Sequence, residues 1–142
     1  YGDEAGMVGW TDPDNRRSYP WGKQDWELIE FHKDMIRIHK KYECFRSGSY
    51  KSIASGSHWI CYGRFNKKLQ AVILINNRRD TLTVDLPIWQ IGILENACLK
   101  RVIQTTQSTY NVGEVMERAE DGILHVTVGP QTASVYIAAK NV

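Results

Sequence analysis

The sequence predicts a mainly β protein, an antiparallel β-sandwich preceded by a shaped loop and one long α-helix. Three observations carry that expectation. From Tyr50 onward, apolar and polar residues alternate with a period of two in seven or eight short runs separated by turn residues. Between Lys23 and about Tyr42 the apolar residues recur at spacings of three and four instead. Ahead of both, Tyr1 to Trp21 follows neither period and is dense in glycine, carboxylates, arginine and tryptophan.

The elements follow in order. The opening stretch is punctuated by Gly2, Gly6, Gly9, Pro13 and Pro20, so it reads as a loop of defined shape, and such loops on a rigid scaffold often carry binding groups. In the helix, Leu28, Phe31, Met35 and Ile38 form an apolar stripe flanked by Ile29, His32, Ile36 and His39, and charged residues fill the remaining surface. Gln24 or Asp25 can start it, Asp25 and Glu27 suit its positive end, and Lys40 and Lys41 suit its negative end. Ser47-Gly48 breaks the run.

The strands come next. His58 to Phe65 alternates, Ala71 to Ile75 is a continuous apolar run of the kind found in a central strand, and Leu82, Val84 and Leu86 alternate until Pro87 stops them. Further strands are expected near Cys98 to Gln104, Val112 to Arg118, Ile123 to Val128 and Ala133 to Ala138. Ser55 to His58, Asn66-Lys67-Lys68 and Asn76 to Asp80 read as turns, Asp121-Gly122 as a hairpin turn, and Gly129-Pro130 as a break.

Three motifs stand in the first stretch: Tyr1-Gly2-Asp3-Glu4-Ala5-Gly6, then Asp12-Pro13-x-x-Arg16, then Pro20-Trp21. Together, and in this order, they resemble the end of the catalytic barrel in the alpha-amylase family of glycoside hydrolases. The Asp-Pro-x-x-Arg spacing most resembles the neopullulanase, cyclomaltodextrinase and maltogenic amylase branch. The resemblance implies that residues 1–47 are the end of a (β/α)8 barrel, with its last strand remnant, substrate loop and last helix. It implies that residues 48–142 are the C-terminal β-sandwich domain of that family.

A complete barrel needs roughly 250 residues, more than the 142 present. The chain also opens inside a motif, with no methionine. Both points predict a C-terminal fragment whose principal partner is a missing N-terminal catalytic barrel. In such a parent the helix stripe would face barrel strands. Here the expectation is that it packs on the β domain or on a second copy, as a homodimer formed through the exposed helix face, because leaving large apolar side chains wet forgoes roughly 1.5–3 kcal/mol each.

Composition narrows the function classes. The net charge of +2 and scattered Lys and Arg residues give no nucleic-acid footprint. No apolar run approaches the roughly 20 residues of a membrane span. Cys44, Cys61 and Cys98 form no Cys-x-x-Cys pair, which predicts free thiols and a reducing, cytoplasmic compartment, although one disulfide with one free thiol stays open and secretion stays undecided. No cofactor or metal site is expected: Asp12, Asp14 and Asn15 lack calcium-loop spacing, His32 and His39 are seven apart, and no phosphate loop occurs.

A retaining glycosidase needs two carboxyl groups about 5–5.5 Å apart across one bond. Asp3 and Glu4 are neighbours and, on a strand, would point to opposite faces. The family's catalytic carboxylates lie on earlier barrel strands, and none of those motifs occurs here, so no catalytic residue is expected in this chain. The resemblance implies instead that Asp12 and Arg16 bind a glucose unit of an α-glucan on the non-reducing side of the cleaved bond. A carboxylate and a guanidinium can each make two hydrogen bonds to neighbouring hydroxyls. They can equally pair with each other and hold the loop closed. Trp10 and Trp21 can stack on sugar rings, or pack the loop. Trp59, inside an alternating strand, is expected in the core. An exposed Trp89, at a strand end, would favour a second reading, a non-catalytic carbohydrate-binding β-sandwich.

Overall fold

The computed structural model describes residues 1–138, so the last four residues of the expected 48–142 domain lie outside the described residues. The chain divides into two compact units, Tyr1–Ile38 and His39–Val142.

In the first unit, Gly2 and Gly6 take φ of 85° and 71° and close the two ends of a 3-10 turn, Asp3–Ala5. Ala5 N–H donates to Gly2 O at 3.0 Å and Gly6 N–H to Asp3 O at 3.1 Å. Asp3 and Glu4 therefore sit on a turn rather than a strand, because left-handed glycines on both sides curl the backbone before any ladder can form. Asp3 is exposed and Glu4 half-buried. Helix α1, Trp26–Lys41, starts three residues later than expected. A turn in which Lys23 N–H donates to Pro20 O at 2.9 Å occupies those positions, and Asp25 caps the helix by accepting the Leu28 N–H on Oδ1 at 2.9 Å. Of the expected stripe, Ile38 is buried, Leu28 and Phe31 are half-buried and Met35 is exposed. Flanking Ile36 is also exposed.

The second unit takes in the last turn of α1, a short helix α2 (Cys44–Ser47) and eight strands. These are β1 Ser49–Gly56, β2 Trp59–Phe65, β3 Gln70–Asn76, β4 Leu82–Pro87, β5 Cys98–Thr105, β6 Tyr110–Arg118, β7 Ile123–Val128 and β8 Thr132–Ala138. They form two antiparallel sheets, a six-stranded one in the order β1-β2-β3-β8-β5-β6 and a two-stranded ribbon of β4 and β7. The core lies between them. Cys61, Val72, Leu74, Leu99 and Tyr136 of the large sheet meet Leu82, Leu86, Leu124, Val126 and Val128 of the ribbon, with Ile88 and Ile91 from the 3-10 turn after β4. Ala71 to Leu74 on β3 and Val135 to Ala138 on β8 are all buried. That two-sided burial is why these central strands read as continuous apolar runs.

The Asp121-Gly122 turn forms as expected, with φ of 49° and 73°. Its flanking residues bond reciprocally, Glu120 N–H to Ile123 O at 2.9 Å and Ile123 N–H to Glu120 O at 2.8 Å. The strands it joins, however, are not a hairpin: β6 pairs with β5, and β7 pairs with β4. The inward residues of β7 complete the ribbon's apolar face with those of β4, which a β6–β7 hairpin would not do. Two polar side chains tie down the connections. Asn76, buried, donates from Nδ2 to Gly129 O at 2.8 Å and to Asp80 O at 3.1 Å, and accepts Arg78 N–H on Oδ1 at 3.0 Å. Arg64 donates from Nη2 to Phe45 O and Gly48 O, both at 3.0 Å, closing the end of α2.

All three cysteines are free thiols, Cys44 and Cys61 buried and Cys98 exposed. Burial pushes the Cys61 thiol up to about 12 and raises that of Cys44 as well. Among the described residues no helix is long and apolar enough to cross a membrane.

Candidate functional site

In the first unit, the loop after the first 3-10 turn carries Trp10 and Asp12, and the second 3-10 turn, Asp14–Arg16, carries Arg16. Thr11 O accepts Asp14 N–H at 3.0 Å and Pro13 O accepts Arg16 N–H at 3.1 Å, which winds Asp14–Arg16 into the second turn. The Asp12-Pro13 bond is cis. Gly9 lies against this turn, where a Cβ would come 3.1 Å from the Asn15 Cα, so a larger residue would push the strand of loop away from it.

Winding the turn brings Asp12 and Arg16 together, with Nε to Oδ1 at 2.7 Å and both side chains exposed. The pair points a carboxylate and a guanidinium outward from one place, and their remaining donors and acceptors are open to a ligand. Trp10, two residues before Asp12, is 81% exposed. A second pair, which sequence reading did not single out, braces the same turn: Arg17 donates from Nε and Nη2 to the two oxygens of Asp14, each at 2.8 Å. The i, i+3 spacing of Asp14 and Arg17 on a helical turn was the available signal. Tyr1 Oη donates to Arg17 O at 2.9 Å and fastens the start of the chain to the same loop. Trp21 is also exposed, its ring 4.7 Å from that of Tyr19.

The other candidates separate by environment. Trp59 is half-buried and packs on the core. Trp89 is 61% exposed. His32 bonds to Leu28 O through Nδ1 at 2.8 Å, and His39 stacks on Phe45 with ring centroids 6.4 Å apart. His125 meets Asp85 at 2.6 Å across the β4–β7 ribbon. That last pair is 40 residues apart in sequence, so only strand pairing reveals it. Among the described residues no three His, Cys, Asp or Glu side chains gather as a metal site.

No protein-family model matches the sequence. Among curated proteins, an amylopullulanase of Thermoanaerobacter thermohydrosulfuricus is 38% identical over 64 residues, which is 45% of this chain and 4% of that protein. A cyclomaltodextrinase of Geobacillus thermopakistaniensis is 30% identical over 103 residues, 66% of this chain and 18% of that one. Among solved structures, an Anoxybacillus alpha-amylase superposes with a TM-score of 0.80 at 26% identity, covering 100% of this chain and 28% of that one. The chain thus spans under a fifth of the length of these two curated relatives.

Proposed function

We propose, from the premise that this chain resembles by sequence and by fold the C-terminal part of an alpha-amylase-family glycoside hydrolase of the cyclomaltodextrinase and neopullulanase branch, that it works as part of a retaining α-glucan hydrolase. In this reading Asp12 and Arg16 hold the hydroxyls of one glucose unit beside the cleaved α-1,4 or α-1,6 bond, and Trp10 offers an aromatic face to the same unit. The β-sandwich caps the barrel. The reacting carboxylates belong to barrel strands of the whole enzyme, and the free thiols suit a reducing, cytoplasmic compartment.

The observation that carries this reading is the Asp12–Arg16 pair, exposed on a braced loop at the spacing the resemblance implies. An exposed ion pair adds little to stability, so the pair suits ligand contact better than support. In the barrel-bearing enzyme, Arg16→Ala removes a charged hydrogen-bond donor, a loss of about 1.5–3 kcal/mol. Steady-state kinetics on maltooligosaccharides should show kcat/KM falling roughly 10- to 100-fold. Unchanged kinetics would sink the assignment. The 142-residue chain by itself should not hydrolyse maltooligosaccharides or cyclodextrins, and measured hydrolysis would overturn the reading.

A second reading, a carbohydrate-binding β-sandwich, is favoured by one observation, the exposed indole of Trp89.

A further inference from the structure

The β4–β7 ribbon has a dry face and a wet one. Its inward residues, Leu82, Leu86, Leu124, Val126 and Val128, are buried in the core. Its outward residues pair across the two strands as Thr83 with Thr127, Asp85 with His125 and Pro87 with Ile123. Two of these pairs also bond through their side chains, the threonine hydroxyls at 3.0 Å and His125 Nδ1 with Asp85 Oδ1 at 2.6 Å. Alternate residues on a strand lie about 6.5–7 Å apart, so the three pairs make a straight polar-to-apolar track.

Trp89 stands at the apolar end of the track. Its backbone N–H donates to Gly122 O at 3.1 Å, and Gly92 N–H donates to its backbone carbonyl at 3.0 Å. Ile88 and Ile91 on either side are sunk in the core, which fixes the turn that presents the indole. Gly122, next to Ile123, lies against the Trp89 side chain. A Cβ there would come 2.9 Å from the Trp89 Cβ, so glycine is what lets the indole rest on this turn. The ring is nevertheless 61% exposed.

We propose that this outer face, from Trp89 along Asp85–His125 to Thr83–Thr127, is a second binding surface for a single α-glucan strand. An aromatic face takes the C–H side of a pyranose, and a row of hydroxyl, carboxylate and imidazole groups takes its hydroxyls. The one carboxylate of the track already has a basic partner at 2.6 Å. The track therefore matches a neutral polyhydroxyl chain better than an anionic ligand, and its bonded polar pairs fit an apolar partner poorly. The choice of α-glucan rests on the function proposed above, but the surface uses none of the residues of the Asp12 loop.

The test is electrophoresis of the whole chain in native gels holding amylopectin or hydroxyethylcellulose, with calorimetry on maltoheptaose. The expected result is retardation by amylopectin and a Kd near or below about 1 mM, weakened about tenfold by Trp89→Ala and several-fold by Asp85→Ala. Trp89→Tyr should keep most of the binding. Circular dichroism of each variant separates lost binding from lost fold, and Asp85→Ala carries the test if Trp89→Ala unfolds. No retardation, retardation indifferent to both changes, or retardation by hydroxyethylcellulose alone would each overturn the proposal. The kinetics of Arg16→Ala in the barrel-bearing enzyme report on the first function separately, so either idea can fail without the other.

Discussion

Cys61 sits in the sandwich core, and burial alone lifts its thiol from an ordinary 9.0 to about 12. The unfolded thiol ionises near the ordinary value, so the neutral thiol favours the folded state fully below about pH 9. That contribution is lost as pH rises through the folded value. Chemical denaturation between pH 9 and 12 should show stability falling with a component of up to about 1.4 kcal/mol per pH unit from this one group, and Cys61→Ala should remove that component. A thiol reagent at pH 8 should label exposed Cys98 in the folded protein, with Cys61 reacting only on unfolding. The same scale separates Asp12 from Asn76. Asp12 is exposed and paired on a loop, whereas Asn76 is buried and tied to three backbone groups. Both are small polar residues beside turn-forming ones, and their residue types alone do not tell an exposed polar group from a buried structural tie.

At the level of the element, helix α1 is legible because its stripe repeats at helical spacing, and Asp25, one of its two expected starting residues, stands directly before Trp26. The capping residue decides the true start. Asp25→Ala should cost the first unit about 1 kcal/mol, read as faster hydrogen exchange at the Leu28 amide, while Asp25→Asn should keep most of the cap. Unchanged exchange in Asp25→Ala would mean that the Oδ1 contact at 2.9 Å adds nothing to the helix. The strands were legible for a similar reason, since alternation and turn residues are local signals. The Asp121-Gly122 turn shows the limit: its two positive φ angles follow from residue type, but the sheets reached by the strands on either side do not.

For the sandwich as a whole, one core is shared by sheets of very different size. Leu74 on the six-stranded sheet and Leu86 on the ribbon are both fully buried in it. Replacing either by alanine should cost about 2–5 kcal/mol, and the two losses should agree within about 1.5 kcal/mol. A ribbon that was only loosely attached would instead show a small loss for Leu86→Ala in equilibrium denaturation. The exposed aromatics belong to this scale too. Trp10 and Trp89 are exposed in different units of the chain.

The antiparallel sandwich, the helix, the turns and the resemblance to alpha-amylase-family enzymes are legible in the residues alone, because periodicity, turn chemistry and short motifs are all written within a few residues of chain. The sequence also placed Asp12, Arg16 and Trp10 on one loop. What needed the packed chain is that β7 leaves β6 for β4 and that Asp85 meets His125 across the ribbon. Those outcomes depend on which apolar faces cover one another across tens of residues, and burial of that kind is a property of the packed chain, not of any window along it.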